Sequence, residues 1–271
     1  MRILLITGDA PRHRYFFHKL NQLGYDVLWW IQARTKLAND LGAGLNSDTK
    51  RLLKIHQSDW IETEQWFFQD ALGYSSKKHR VIDNDFLQGS MGLFEISKFM
   101  PDAILSYGCG KLGEAILSIP NVEKLNVHGG LSPWYRGTIT NFWPTYLLEP
   151  LFTGMTFHRT TNHIDGGGIV FQTNVTLELE DGVNQTSCRA TKIFFDSLSE
   201  ILSTQAESVI SNKGISQSTT GRIWTNRMWK PQHLSVVYGL FENKVNKYCY
   251  ENGMLNTPPR LINALESNPS L

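Results

Sequence analysis

The chain opens with a continuous apolar run, Arg2 to Thr7 ("RILLIT"). Apolar residues without polar alternation predict a strand that is buried on both faces. Pro11 can begin a helix at its first turn, and this helix is expected to end at about Leu23. A second apolar run follows from Tyr25 to Gln32. A strand, a helix and a second strand in this order predict a parallel sheet covered by helices on both faces.

The same two patterns recur along the chain. Further strands are predicted at "DAILSYG", "EKLNVH", "GMTFHRTT" and "GIVFQTNVTLEL". Further helices are predicted at "LGEAILSI", at "ITNFWPTYLL", after a cap at Ser47 or Asp48, and after a cap at Asn184 or Thr186. The charged stretch "KKHR" (Lys77 to Arg80) predicts a solvated turn rather than a phosphate site. The expected fold class is α/β.

A polar linker divides the chain near Asn212, where "SNKGISQSTTG" is rich in Ser, Thr and Gly. We therefore predict a main domain over residues 1–210 and a small α+β extension over residues 211–271. In the extension, "GRIWTNRMW" predicts a strand and "PQHLSVVYGLFENKV" predicts a helix that begins at Pro231.

The net charge, the cysteine count and the length of the first apolar run argue against several classes of protein. A formal net charge of +1 argues against strong nonspecific electrostatic binding to nucleic acid or to an anionic membrane. Three distant cysteines suggest neither a disulfide framework nor a thiolate metal site. The first apolar run is too short to span a membrane and lacks a cleavable signal pattern. We expect a soluble, cytoplasmic protein that binds no metal.

The first strand-to-helix junction, "GDAPRH", does not match Gly-x-Gly-x-x-Gly, so a dinucleotide site is not expected there. No Walker sequence, zinc spacing or nucleophile elbow is present in the sequence. Arg12 and His13 lie where a helix N-terminus could bind the phosphate of a substrate. The alternative is a solvated basic turn.

The stretch "NVHGGLSPWYRG" (Asn126 to Gly137) is the strongest candidate for a site. Alternate residues of a strand share a face, so Asn126 and His128 should point the same way. The two glycines that follow would let backbone approach a ligand closely, although an ordinary turn is also compatible with them.

Downstream, Asp165 precedes three glycines and a strand in "HIDGGGIVFQ". A carboxylate there could reach a neighbouring strand end and fix the tautomer of His128 or raise its proton affinity. The amide of Asn126 could stabilise a developing oxyanion. Together the three residues suit acyl transfer to an amine, whereas each alone has a common structural explanation.

This order of motifs resembles the formyltransferase family, which uses N10-formyltetrahydrofolate and includes methionyl-tRNA, glycinamide ribonucleotide and sugar N-formyltransferases. The family stretch Asn-x-His-x-Ser-Leu-Leu-Pro-x-Tyr-Arg-Gly aligns with Asn126 to Gly137 without a gap. The resemblance spans about Met1 to Val209 and implies a Rossmann-like fold. Gly130 replaces the usual Ser, Ser132 replaces a Leu, and Gly166 stands where Thr is common. These departures affect the loop shape and the identity of the acceptor.

The resemblance implies roles for the three residues. Asn126 would donate a hydrogen bond to the formyl oxygen. His128 would stabilise the tetrahedral oxyanion or take a proton from the amine. Asp165 would orient and charge His128, and could accept a proton through water.

The resemblance also implies a folate pocket. Its predicted residues are Gly108, Cys109 and Leu112 in "SYGCGKL", with Asn162, His163 and Ile164 in "NHID" as the opposite wall. Cys109 is expected to be a small neutral packing residue rather than a nucleophile. N10-formyltetrahydrofolate is the expected co-substrate.

Among the family, the sugar N-formyltransferases resemble this chain best, because a short aromatic extension follows the core. Their acceptors are nucleotide-linked amino sugars for surface polysaccharide such as O-antigen lipopolysaccharide. Trp134, Tyr135 and Arg136 could contact the sugar or its diphosphate, or could pack within the loop. Trp224, Trp229 and Tyr238 are expected to be buried on the core, although base stacking or a homodimer surface is also possible.

Three other functions stay open. The acceptor could be another amine, such as tRNA-linked methionine or a small metabolite, although the tail is short and only mildly positive. The chain could bind folate or nucleotide without catalysis. It could also hydrolyse the folate to formate.

Overall fold

A computed structural model describes residues 1–33, 44–73, 79–217, 221–255 and 257–266. Its main feature is a seven-stranded sheet that is mostly parallel, as predicted. In spatial order the strands are β3 (His79–Ile82), β2 (Asp26–Gln32), β1 (Arg2–Thr7), β4 (Ala103–Tyr107), β5 (Glu123–His128), β7 (Gly154–Arg159) and β8 (Ile169–Asn174). A small second sheet pairs β6 (Tyr135–Gly137) with β9 (Arg222–Trp224).

Helices cover both faces of the large sheet. The helices in the described ranges are α1 (Pro11–Gln22), α2 (Ser47–Phe67), α3 (Asn84–Gln88), α4 (Ser90–Phe99), α5 (Glu114–Leu117), α6 (Trp143–Tyr146), α7 (Val183–Ser211) and α8 (Val245–Glu251). On one face Leu5 packs in a cluster with Phe16 and Phe195, and on the other Ile6 packs in a cluster with Ile96. None of the helices in the described ranges has the length and apolar character needed to cross a lipid bilayer.

The sheet changes direction at β5. Strands β3, β2, β1, β4 and β5 are parallel, whereas β5 pairs antiparallel with β7, and β7 with β8. The register places Asn126 opposite His158 and His128 opposite Thr156. Directly opposed residues share a face, so the antiparallel pair adds polar side chains beside Asn126 and His128.

Two predicted helix caps were wrong. The N-cap of α2 is Asn46, whose side chain accepts a hydrogen bond from the backbone N–H of Thr49. The N-cap of α7 is Gly182, which lies two residues before Asn184 and four before Thr186. Its backbone N–H donates to the side chain of Gln185, three residues later, so this local contact, and not an Asn or Thr cap, marks the start of the helix.

Two other local predictions were also wrong. Of the predicted "KKHR" turn, Lys77 and Lys78 lie outside the described residues, whereas His79 and Arg80 begin the edge strand β3. The helix predicted for "ITNFWPTYLL" is only the short α6, because Leu148 already adopts a left-handed backbone with φ 62°.

The C-terminal segment packs on the main body through aromatic residues. Pro231–His233 forms a 3₁₀ turn and Ser235–Leu240 forms a π-helix, in place of the single α-helix predicted from Pro231. Trp224 and Trp229 are buried in a cluster that also contains Tyr135. The expected burial of these tryptophans is thus observed, and the domain boundary at residue 210 stays a prediction.

A polar network joins this segment to α2 and α7. The ring Nδ1 of His56 lies 3.0 Å from the hydroxyl of Tyr238, which donates to Asp59 Oδ2 at 3.3 Å. The same oxygen accepts from Asn184 Nδ2 at 2.7 Å. Burial lowers the pKa of His56 to about 4, and the nearby Asp59 only partly opposes this effect.

We expect His56 to make folding sensitive to acid. Its folded pKa lies below its unfolded value, so between about pH 6.5 and pH 4 the unfolded chain binds a proton that the folded chain does not. The free energy of unfolding should therefore fall as pH falls through this window. The contribution is on the order of 2 kcal/mol after allowing for partial exposure of the ring.

Urea denaturation between pH 7.5 and pH 4 tests this expectation. The His56→Gln variant should lose stability less steeply than the parent, whereas the exposed His79→Gln control should follow the parent. Parallel curves for parent and His56→Gln would contradict it.

Candidate active site

A large cavity opens at the carboxyl ends of the parallel strands β2, β4 and β5. Its volume is about 1290 Å³. The strand order changes direction between β1 and β4, which is where ligands usually bind in open α/β sheets. The polar residues on its wall include Arg12, His56, Asn126, His128, Asn141, Asp165 and Asn184.

Asp165 and His128 are in contact at this cavity. The carboxylate Oδ2 of Asp165 lies 3.3 Å from Nδ1 of His128. The same oxygen accepts a hydrogen bond of 2.7 Å from the backbone N–H of Gly137. Asp165 itself has a left-handed backbone with φ 44°, held by hydrogen bonds to its carbonyl from the side chains of Ser132 and Gln217.

The carboxylate of Asp165 is ionised although it is largely buried. Burial alone would raise its pKa, but the neighbouring His128 and the hydrogen bond from the Gly137 amide hold this pKa well below its usual range. The site therefore contains a permanent negative charge next to an imidazole.

His128 lies between two acceptors. Its Nε2 is 2.6 Å from the backbone carbonyl of Tyr135, so this nitrogen must carry a proton and donate it. Its Nδ1 faces Asp165. Burial lowers the pKa of His128, and Asp165 only partly opposes this effect. A neutral ring with a basic Nδ1 beside a carboxylate can accept a proton and be stabilised once charged.

Asn126 is joined to this pair through a second histidine. Its Nδ2 lies 3.1 Å from Nε2 of His158, and that nitrogen lies 3.5 Å from Asp165 Oδ1. Its Oδ1 accepts a hydrogen bond of 2.9 Å from the hydroxyl of Ser106 on β4. The structure thus brings Asn126, His128 and Asp165 into one polar cluster.

The two glycines after His128 have different roles. A Cβ on Gly130 would lie 2.5 Å from the Tyr135 carbonyl oxygen and 2.7 Å from His128 Nε2. A Cβ on Gly129 would meet only the Met155 sulfur, at 4.0 Å. The missing side chain at position 130 is therefore what lets His128 reach the Tyr135 carbonyl.

Strand β9 supports the loop that carries these backbone contacts. It pairs with β6, and Thr138 N donates to the Trp224 carbonyl at 2.9 Å. The Trp224 ring stacks on Tyr135 with 6.0 Å between centroids and an interplanar angle of 11°. Both the Tyr135 carbonyl and the Gly137 amide thus belong to a strand that the C-terminal segment holds in place.

Arg12 provides a positive charge elsewhere on the cavity wall. It forms an ion pair with Glu64, and its guanidinium carbon lies 5.5 Å from the centroid of the Trp60 ring. A guanidinium has five N–H donors, so an arginine in this position can also bind a phosphate or a carboxylate.

Backbone at the end of β4 forms another part of the wall. Residues 108–110 line the cavity, and Gly110 N donates to the side chain of Gln32 at 2.5 Å. Burial raises the pKa of the Cys109 thiol to about 12, so it is neutral at physiological pH and is not an activated nucleophile. Within the ranges that the structure describes, no three His, Cys, Asp or Glu side chains cluster so as to hold a metal ion.

The structure separates the sequence-predicted residues into two groups. Those on the cavity wall are Arg12, Gly108, Cys109, Asn126, His128 and Asp165. Those elsewhere are His13, Leu112, Trp134, Tyr135, Arg136, Asn162, His163 and Ile164.

Packing explains where the second group lies. The Tyr135 hydroxyl donates to Glu149, and Arg136 Nε donates to the Ile164 carbonyl at 2.9 Å. The Trp134 ring packs on Phe152 at 5.5 Å between centroids. These three side chains support the loop rather than line the cavity.

The remaining members of that group are also placed by local contacts. Leu112 is buried among apolar residues beneath the β4 loop. Asn162 donates to Glu114, and His163 and Ile164 are exposed at the surface. His13 is buried between the loops that follow β1 and β4, next to Gly8 and Gly108.

Sequence reasoning missed His158 and Ser106. Both lie on predicted strands, and a polar side chain within an apolar run is the sequence feature that could have marked them as site residues. Their relation to Asn126 depends on which strands pair and in which register, and the sequence pattern does not specify either.

Part of the chain matches a family model and several known proteins. Residues 75–198 match the family model described as "Formyl transferase". The chain is 41% identical over 87 residues to the bifunctional polymyxin resistance protein ArnA of Wigglesworthia glossinidia brevipalpis, a match that covers 32% of this chain and 13% of that protein. It is 32% identical over 105 residues to the methionyl-tRNA formyltransferase of Caldicellulosiruptor saccharolyticus, covering 38% of this chain and 33% of that protein. The chain therefore matches a third or less of the length of these curated relatives.

Solved structures resemble the fold over most of its length. A sugar N-formyltransferase from a Shewanella species superposes with a TM-score of 0.56 at 16% identity, covering 84% of this chain and 78% of that chain. A sugar 3N-formyl transferase, WlaRD, solved in the presence of dTDP and 5-N-formyl-THF, has a TM-score of 0.51 at 14% identity, covering 85% and 72%. These matches confirm the predicted Rossmann-like fold.

The two glycines give a direct test of the site geometry. Gly130→Ala should lower the free energy of unfolding by about 1–3 kcal/mol, because its Cβ would overlap atoms of His128 and Tyr135. Gly129→Ala should change it by less than about 0.5 kcal/mol. Urea denaturation at constant pH measures both values, and equal effects would contradict the packing described.

Proposed function

We propose that the chain transfers a formyl group to the primary amine of a nucleotide-linked amino sugar, a proposal supported by the match of residues 75–198 to the formyl transferase family model. The donor is N10-formyltetrahydrofolate. The observation that carries this proposal is the cluster of Asn126, His128 and Asp165 on one wall of a cavity of about 1290 Å³. That volume has room for two substrates to meet.

The reaction joins the amine nitrogen to the formyl carbon and breaks the bond from that carbon to N10. The proton that the amine loses ends on N10. In the tetrahedral intermediate the formyl oxygen carries negative charge, and an amide N–H of Asn126 stabilises it.

His128 acts at Nδ1 in this proposal. Its Nε2 is already bonded to the Tyr135 carbonyl, so Nδ1 is the nitrogen that can take the proton from the amine. The charge of Asp165 then stabilises the imidazolium. Of the two roles expected for His128, the contacts favour proton transfer over oxyanion binding.

Features of the cavity wall support an anionic, nucleotide-linked acceptor. Arg12 can bind a phosphate, and Trp60 and His56 offer aromatic surface nearby. Two structures that share the fold are sugar N-formyltransferases, and one was solved with dTDP. We therefore prefer an amino sugar for surface polysaccharide such as O-antigen lipopolysaccharide.

A second acceptor is favoured by one observation. A methionyl-tRNA formyltransferase is among the curated relatives, so tRNA-linked methionine is the main alternative. The C-terminal segment is only mildly positive, and this weak charge argues against tRNA-linked methionine as the acceptor. We also propose that the protein is cytoplasmic and forms a homodimer.

Mass spectrometry tests the reaction. Purified protein is incubated with N10-formyltetrahydrofolate and a panel of dTDP- and UDP-linked amino sugars, and a product heavier by one formyl group is expected. Asp165→Asn and His128→Gln should each lower kcat about 10²–10⁴-fold, because each removes part of the acid-base pair.

The exposed residues Asp48 and His79 provide matched controls, and Asp48→Asn and His79→Gln should retain full activity. Formate release without any formylated amine would indicate a hydrolase. Folate binding without turnover would indicate a binding protein, and formylated methionyl-tRNA would indicate the second acceptor.

A further inference from the structure

His158 on β7 is a buried histidine to which the proposed reaction assigns no role. The residue is only 2% exposed, and its ring lies between Asn126 and Asp165. Two of its neighbours therefore belong to the proposed catalytic group.

A backbone carbonyl determines which nitrogen of His158 carries the proton. Nδ1 lies 2.8 Å from the carbonyl oxygen of Arg159. A carbonyl oxygen only accepts hydrogen bonds, so Nδ1 must be the donor. In the neutral ring, Nε2 then has a lone pair and can only accept.

The lone pair on Nε2 selects the orientation of the Asn126 amide. At 3.1 Å it can accept from the NH₂ group of Asn126 but not from the amide oxygen. The Asp165 oxygen, at 3.5 Å, lies beyond an ordinary hydrogen bond. On the other side, the Ser106 hydroxyl donates to Asn126 Oδ1 at 2.9 Å.

The Asn126 amide is thereby fixed at both ends. One N–H is bonded to His158, and the other has no partner among the residues that the structure describes. Asn126 lines the cavity, so this remaining N–H is the donor available to a ligand. A flipped amide would present its oxygen to the ligand instead.

We propose that His158 is a positioning residue that fixes the Asn126 amide with its N–H, not its oxygen, available to the formyl oxygen. The inference rests on the proposed function for its catalytic meaning. An amide oxygen beside a developing oxyanion repels it, and losing one such donor typically lowers kcat by about 10²–10³-fold.

The first test measures the tautomer of His158 and does not depend on activity. Long-range ¹H–¹⁵N correlation spectra of uniformly ¹⁵N-labelled protein at pH 8 distinguish protonated from unprotonated ring nitrogens. The His158 signals are identified by their loss in His158→Gln. We expect a protonated Nδ1 and an unprotonated Nε2, and a protonated Nε2 would overturn the proposal.

The second test compares two variants of similar size. In His158→Gln the distal amide oxygen can replace Nε2 as the acceptor, whereas in His158→Asn the amide reaches only the Nδ1 position. We expect His158→Asn to lower kcat by about 10–10²-fold with little change in KM for the folate, and His158→Gln to stay within about fivefold of the parent. His79→Gln controls for loss of an exposed histidine.

The outcomes separate this proposal from the proposed function. Equal kcat values for His158→Gln and His158→Asn, or a change confined to KM, would overturn the positioning role. If the parent protein formylates no amine, the proposed function fails, and the tautomer spectrum still decides whether His158 orients Asn126.

Discussion

The antiparallel pairing of β5 with β7 is the constraint on which the site depends. It places His158 opposite Asn126 and on the same face as His128. If β7 were shifted by one residue, His158 would point to the opposite face and a different side chain would meet Asn126. The register thus determines the polar composition of the cavity wall, and the helices on both faces of the sheet hold that register through the core.

The two histidines of the cluster share one arrangement. Each has one ring nitrogen bonded to a backbone carbonyl, Tyr135 for His128 and Arg159 for His158, and the other nitrogen close to Asp165. Backbone carbonyls cannot donate or lose a proton, so changes of protonation are confined to the nitrogens near the carboxylate. A buried carboxylate costs solvation energy, which here is offset in part by the hydrogen bond from the Gly137 amide.

The sequence predicted the features that depend on local pattern. The first β-α-β unit, the parallel sheet and the candidates Asn126, His128 and Asp165 follow from apolar runs, alternation and motif spacing. His158 and Ser106 were missed because cross-strand register is a property of the folded chain. Tyr135 and Arg136 lie beside the motif in sequence, yet their side chains turn into the loop, because hydrogen bonds to Glu149 and Ile164 satisfy them there.

The pairing of β6 with β9 has a consequence for synthesis of the protein on the ribosome. Residues 135–137 and 222–224 are far apart in sequence, yet they form a parallel ladder next to His128 and Asp165. Domains begin to fold while the chain is still growing. A nascent chain in which only residues up to 211 have emerged contains every described strand of the large sheet together with Asn126, His128, His158 and Asp165, but not the strand that holds the Tyr135 carbonyl and the Gly137 amide. The contacts of His128 and Asp165 with this backbone are therefore completed only after the sheet that supports them has been synthesised.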